Sequence, residues 1–406
     1  MRARLPVALA LAAAWSCFST LGLEYTAFAA CLLAGAWQAH RQRAWHAVWQ
    51  GHVVLPWLAL WLLLLLSTAW SPAAAPARIA HLWTYGLVLL MPLAAWAWTP
   101  QAAQRALRHF IVAAALVGGM NLLHRQGWLP NLAVWQRIVD AEGNQRIVMS
   151  LLLALGGVLA LDEALARPQA SKRARLAWLV AAGLCIVGLA LQDRRSGMLN
   201  LPLLLVVLVF ARQRTAWRRL ALISIVGLMA VATWQVSDSV RSRFHEGLAE
   251  VQAPRPPDTV STSWGQRLAM IEITADMVRE RPWLGHGVAS WPVLWARRTT
   301  PGTPLHEHTT PHNEYLMIAT QAGAAGLLLL IAGMAMSCLR AWQAGPAGTA
   351  ALMAWTMVAT SALFNAMLRD AKFALPLLTV AALGVVASRA TTPAKGAEPA
   401  QVSAPA

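Results

Sequence analysis

Twelve apolar segments, most near the length of a membrane crossing and several shorter (109–123, 147–161 and 197–211 above all), constrain this chain more than any other feature. A membrane helix needs about 20 mainly apolar residues. Candidate segments lie near 5–19, 23–39, 53–70, 79–98, 109–123, 147–161, 174–191, 197–211, 219–235, 313–337, 347–364 and 372–388. Inside hydrocarbon every backbone N–H and C=O must find a partner within the protein, and a helix provides them within one segment. The pattern predicts an all-α, polytopic membrane protein of about twelve transmembrane helices. These form one domain over residues 1–390, followed by a short Ala/Pro-rich tail, 391–406, predicted to be disordered. Composition agrees, since only 12% of the 406 residues are charged, against roughly 25% in soluble domains. A soluble chain this poor in charge would expose large apolar patches, so membrane lipids are the first partner to expect.

The formal net charge of +16 would suggest nucleic acid on a soluble protein. Its placement argues for a membrane topology instead, with no nucleic-acid partner. With the N-terminus inside, the cytoplasmic connections carry Arg41 and Arg43, Arg105 and Arg108, Arg167 with Lys172, Arg173 and Arg175, Arg212 with Arg214, Arg218 and Arg219, and Arg340. That is the positive-inside pattern, and it puts both termini in the cytoplasm. Residues 1–19 read as an uncleaved first membrane helix rather than a signal peptide, because no convincing small-residue cleavage site follows. Cys17, Cys31, Cys185 and Cys338 all fall inside apolar runs and imply no disulfide framework.

The exceptions to the charge rule carry more information. Arg125, Arg137 and Arg146 lie on the nominal outer side, and the tight turn Asp193-Arg194-Arg195-Ser196-Gly197 puts two more arginines there. The 236–312 segment forms a large outer loop and holds Arg267, Arg297 and Arg298 among others. After Pro254, Pro256 and Pro257, the run from Ser263 to Met277 predicts an amphipathic helix. Ser263 and Gln266 form a capping box, and Leu268, Ile271 and Ala275 lie along its apolar face. Pro282 closes this helix before the Gly285-His286-Gly287 turn.

The densest polar cluster is His306-Glu307-His308-Thr309-Thr310-Pro311-His312-Asn313-Glu314-Tyr315, which leads directly into an apolar helix. The spacing of its histidines matches no strong zinc template, and Pro311 keeps His308 and His312 off a shared helical face. No metal or other cofactor is expected. At the N-terminal end of a helix the dipole disfavours imidazolium, so His312 is expected to be neutral and able to accept a proton. Arginines offer permanently charged, bidentate donors for phosphate oxygens. A diphosphate with its charge neutralised leaves without a general acid, and a neutral histidine then supplies the base for an incoming hydroxyl.

At these residues the chain resembles the O-antigen ligase family, which also contains O-antigen polymerases (Wzy) and bacterial O-oligosaccharyltransferases. Four stretches carry the resemblance: Asp193–Gly197, Trp264-Gly265-Gln266-Arg267, Arg281-Pro282-Trp283-Leu284-Gly285-His286-Gly287, and His312-Asn313-Glu314-Tyr315-Leu316. It implies a multi-pass protein of the bacterial inner membrane with its active site facing the periplasm. Such a protein is a glycosyltransferase, working without metal or nucleotide, that moves O-antigen glycan from undecaprenyl diphosphate to the lipid A–core oligosaccharide with inversion. It also implies catalytic roles for His312, Arg195 and Arg267. Arg195 and Arg267 would hold the diphosphate, with Arg194 as the alternative to Arg195, because Asp193-Arg194 stands where the family commonly has serine before the arginine. A polymerase, a protein O-oligosaccharyltransferase and, from another class, a lipid or glycan transporter are the competing readings. Charge alone suggests that Arg125, Arg137, Arg297 and Arg298 contact the anionic acceptor.

Overall fold

The structure is a computed structural model and describes residues 4–50, 52–130, 143–166, 171–192, 195–236, 241, 242, 245, 249 and 263–390. Arg137, Asp193, Arg194, the three prolines of 254–257 and the tail from 391 lie outside the described residues.

Each of the twelve apolar segments coincides with a helix. In chain order these are α1 (Leu5–Ser16), α2 (Leu21–Arg41), the short α3 (Trp45–Val48), α4 (Leu55–Leu66), α5 (Ala75–Ala95), α6 (Pro100–Arg125), α7 (Gly143–Ala166), α8 (Lys172–Leu191), α9 (Arg195–Arg212) and α10 (Ala216–Val236). Then follow α11 (Ser263–Glu280), α12 (Ser290–Ala296), α13 (Glu314–Gln343), α14 (Thr349–Ser361) and α15 (Ala371–Ser388). No strand occurs among the described residues. Six helices, α5, α6, α7, α8, α13 and α15, are long and apolar enough to cross a membrane. The protein is therefore a polytopic helical membrane protein. Three further apolar helices are shorter. One of them, α4, has 12 residues, or roughly 18 Å at 1.5 Å per residue.

The bundle is organised around α7 and α15, which are buried on nearly every side; Leu151–Leu155 of α7 are wholly inaccessible. A helix apolar all round must be covered all round or face lipid. By contrast α8 buries one stripe and exposes Leu176, Leu179, Val180 and Val187, as a helix at the lipid boundary does. Small residues let the helices meet closely: a Cβ on Gly188 would stand 2.4 Å from Gly118 Cα, and one on Gly118 would stand 2.2 Å from Leu184 O. Backbone approach through glycine replaces the hydrophobic drive that lipid cannot supply.

Two expectations need correction. The segment from 313 is not one continuous helix, because α13 breaks at Gly323, where φ is 62° and ψ −159°. The 282–287 turn fills the break: Ala324 N–H donates to Pro282 O at 2.7 Å, while His286 N–H and Gly287 N–H donate to Thr320 O and Gln321 O at 2.8 and 2.9 Å. A Cβ on Gly323 would lie 2.3 Å from Trp283 C and O. The buried face of α11 is also offset from the predicted one. Ala269, Met270, Thr274 and Met277 are buried and Ile271 is exposed, because α11 packs on the stacked indoles of Trp291 and Trp295 and on Met317. Thr274 is inward for a reason the hydrophobic pattern hides: its hydroxyl accepts the Trp291 indole N–H at 3.0 Å.

Candidate active site

Four consecutive residues, His312 to Tyr315, build the candidate site's centre, and the last three spend their side chains on the start of α13 and its neighbours. Asn313 is the N-cap of α13, its Oδ1 accepting Leu316 N–H at 3.0 Å while its Nδ2 donates to Leu363 O at 3.1 Å. Glu314 is fully buried. Its carboxyl group accepts from the Tyr85 hydroxyl and from Leu368 N–H at 2.9 Å, and its own N–H donates to Ala362 O at 2.8 Å. Tyr315 donates to Ala359 O at 2.8 Å. The loop between α14 and α15 is thereby clamped to the start of α13.

His312 stands just before this cap with φ 46°, a left-handed conformation that non-glycine residues adopt at a cost of roughly 1–2 kcal/mol. Its ring centroid lies 5.4 Å from that of His308, edge to face. Burial, then His308, then the Arg267 guanidinium pull its pKa down to about 4, against the opposing effect of the Asn365 side chain. The imidazole is thus neutral across the physiological range, as expected, but burial is the larger cause. His308 is also lowered, by burial first; Glu307 works against this and Arg267 with it.

The first turn of α11 faces these two rings. Gln266 Oε1 is 3.2 Å from His308 Nε2, and the half-buried Arg267 exerts its field on both histidines. Arg195 is the first residue of α9. Its helix is fixed at the same end: Gly197 sits against Ser150 of α7, and Asn200 Nδ2 donates to Ser361 Oγ at 3.0 Å. Ser361 holds α9 and the next residue, Ala362, holds Glu314, so the start of α9 and the His312 turn are anchored to neighbouring positions of one chain segment.

The weaker candidates separate. Arg125, at the end of α6, and Arg297, just past α12, are exposed. Arg298 is held by Glu280 in two hydrogen bonds of 2.6 and 2.7 Å, which neutralise it. Glu280, Arg281, Arg297 and Arg298 line one open depression of about 550 Å³.

Two residues that sequence reasoning left without a role stand out. Asn365 is 2% exposed, acts on His312, and its Nδ2 finds no partner among the described atoms. Arg146 Nε is likewise buried without a partner, one turn before Ser150, where α9 begins its contact with α7. Arg146 carries one signal, its place on the nominal outer side, and Asn365 carries none, because its significance comes from what the fold places beside it. Among the described residues, no three histidine, cysteine or acidic side chains converge as a metal site would require.

Residues 180–331 match the family model described as O-antigen ligase. No curated protein matches the chain. The matched stretch runs from the middle of α8 to the middle of α13. Over that stretch, which holds Arg195, Arg267 and His312, the chain is similar to the O-antigen ligase family.

Proposed function

We propose that the protein transfers O-antigen glycan from undecaprenyl diphosphate to a hydroxyl of the lipid A–core oligosaccharide, on the periplasmic side of the bacterial inner membrane. The observation that carries this reading is a neutral, partly buried His312 placed beside the Arg267 guanidinium at the end of the bundle where α9 begins. Arg195 and Arg267 hold the donor's diphosphate. His312 takes the proton from the acceptor hydroxyl, whose oxygen attacks the anomeric carbon as the bond to the diphosphate breaks. The leaving undecaprenyl diphosphate keeps the electron pair, and the two guanidiniums neutralise its charge. Attack from the face opposite the leaving group inverts the anomeric configuration.

The topology that supports this side assignment follows from charge. Arg105, Arg108, Arg212 and Arg340 lie at helix ends opposite the His312 end, so the positive-inside rule puts His312 outside and both termini in the cytoplasm. Residues 1–390 then form one membrane domain, with 236–312 as its periplasmic segment. Acceptor phosphates meet Arg125 and Arg297.

The test is a transfer assay in detergent with chelator, supplying undecaprenyl-diphosphate-linked glycan and lipid A–core. Wild type is compared with His312→Ala and Arg267→Ala. Acceptor-dependent transfer that survives the chelator and is lost in both variants supports the assignment. Donor glycans joining one another without core acceptor would instead identify a polymerase.

A further inference from the structure

At the end of the bundle remote from His312 a crevice of about 420 Å³ opens between α4, α5, α13, α14 and α15. Its floor is apolar, with Met91, Leu378 and the stacked pair Trp57 and Trp355, whose ring centroids are 5.5 Å apart. Its rim carries Arg340 from the last turn of α13 and Arg389 from the end of α15. A second groove of about 860 Å³, lined by Trp49, Leu55, Leu58, Leu90 and Met336, shares His52, Val53 and Arg340 with the crevice. The two depressions therefore meet at the cationic rim.

Among the described residues no acid lines either depression, and no carboxylate pairs with Arg340 or Arg389. Arg389 is half-buried, and its Nη2 donates to Gln50 O at 2.9 Å. A carbonyl orients a guanidinium without neutralising it. Burial alone lowers the pKa of Arg389, while burial and then Arg389 keep His52 neutral, with its pKa pulled down to about 3. Helix C-termini favour a nearby cation, but only by their partial charge. An exposed arginine such as Arg340 alone would be an ordinary snorkelling side chain. A second, partly desolvated guanidinium at the mouth of an apolar crevice calls for a counter-ion, and none stands beside it among the described residues.

We propose that this crevice binds an anionic phospholipid of the surrounding membrane, its phosphate held by Arg340 and Arg389 and its acyl chain lying in the apolar groove. Paired arginines suit phosphate oxygens, and the cavity volumes fall within the usual range for a ligand site. The site lies at the far end of α13 from His312 and does not depend on the reaction assigned to that residue.

The full chain, reconstituted in nanodiscs of phosphatidylcholine and phosphatidylglycerol in equal parts, is released into detergent for native mass spectrometry. Wild type should retain one phosphatidylglycerol in preference to phosphatidylcholine. Arg340→Gln with Arg389→Gln should reduce that fraction by about tenfold, while the exposed Arg105→Gln at the same end should not. Because the double variant removes a helix-end contact, Arg340→Gln alone is measured as well, with a partial loss expected. Added phosphatidylglycerol should raise the melting midpoint of delipidated wild type, and inorganic phosphate should not. Equal retention in the variants, no preference for the anionic lipid, or a midpoint shift with inorganic phosphate alone would overturn the proposal.

Discussion

The pH dependence of transfer tests the proposed role of His312 at the imidazole itself. Burial, His308 and Arg267 hold His312 at a pKa of about 4 instead of 6.5, and a base works only when unprotonated. At pH 5.5 a group of pKa about 4 is about 97% neutral, whereas an unperturbed histidine would be about 9% neutral. The assay is kcat/KM for the lipid-linked donor, which reports the free enzyme. It should change little between pH 7.5 and 5.5, where an ordinary histidine base would give roughly a tenfold fall. The donor's diphosphate, substituted at both ends, stays fully ionised over this interval and adds no limb of its own. Stability must be followed in parallel. A histidine whose folded pKa is lowered stabilises the fold above its unfolded pKa, and that contribution is lost progressively as pH falls from about 6.5 through 4. At pH 5.5 the loss is at most about 1.4 kcal/mol before solvent screening reduces it. Arg267→Gln removes one source of the depression, so the acid limb of its residual activity should move upward. A tenfold drop in wild-type kcat/KM at pH 5.5 with an unchanged melting midpoint would refute this account of His312.

Three further outcomes follow from the geometry. Asn365→Asp places a carboxylate beside His312, which should favour imidazolium and raise the acid limb by about one unit or more; a limb identical to wild type would remove Asn365 from the site. Tyr85→Phe deletes a donor to the buried Glu314 and should cost about 1–3 kcal/mol of stability, read as a lower denaturation midpoint in detergent. Gly323→Ala drives a Cβ to 2.3 Å from Trp283 backbone atoms at a positive φ, for a loss of about 2–4 kcal/mol; an unchanged midpoint would mean that the 282–287 turn is not seated in the break of α13.

Helix positions were legible because lipid leaves the chain few alternatives. Each long apolar run had to become a helix, and the glycines and prolines at the ends only adjust the boundaries. The 109–123 and 147–161 segments extend to α6 and α7 because Thr99 caps Pro100 by accepting Ala102 N–H at 3.2 Å, and because polar ends such as Asn144 find partners, here Asp370 Oδ2 at 2.8 Å. Neither contact has a hydropathy signature. The break at Gly323 was hidden for the opposite reason: Gln321-Ala322-Gly323-Ala324-Ala325 reads as ordinary small-residue helix, and only the inserted turn makes that glycine special. The inward face of α11 escaped because Thr274 earns its buried position through a hydrogen bond to Trp291, which no apolar periodicity reveals.

The same distinction explains the His312-Asn313-Glu314-Tyr315 stretch. As a string it looks like four reactive side chains, yet Asn313, Glu314 and Tyr315 all spend their polar atoms on scaffold partners: a helix cap, the Tyr85 hydroxyl with two loop N–H groups, and Ala359 O. Those contacts fix the start of α13 and the α14–α15 loop against each other. With the cap on one side and Pro311 on the other, His312 is left in a left-handed conformation that an isolated peptide would abandon. Strain of this kind persists only where neighbouring contacts over-determine it, and here those contacts come from the three residues that follow. Substitutions at Asn313 or Glu314 should therefore lower transfer by releasing His312 from its place beside Arg267, even though both side chains are spent on scaffold contacts. Sequence reading singled out the histidine for its chemistry, but the rest of the stretch is intelligible only once α5, α14 and the 362–370 loop are seen to converge on it.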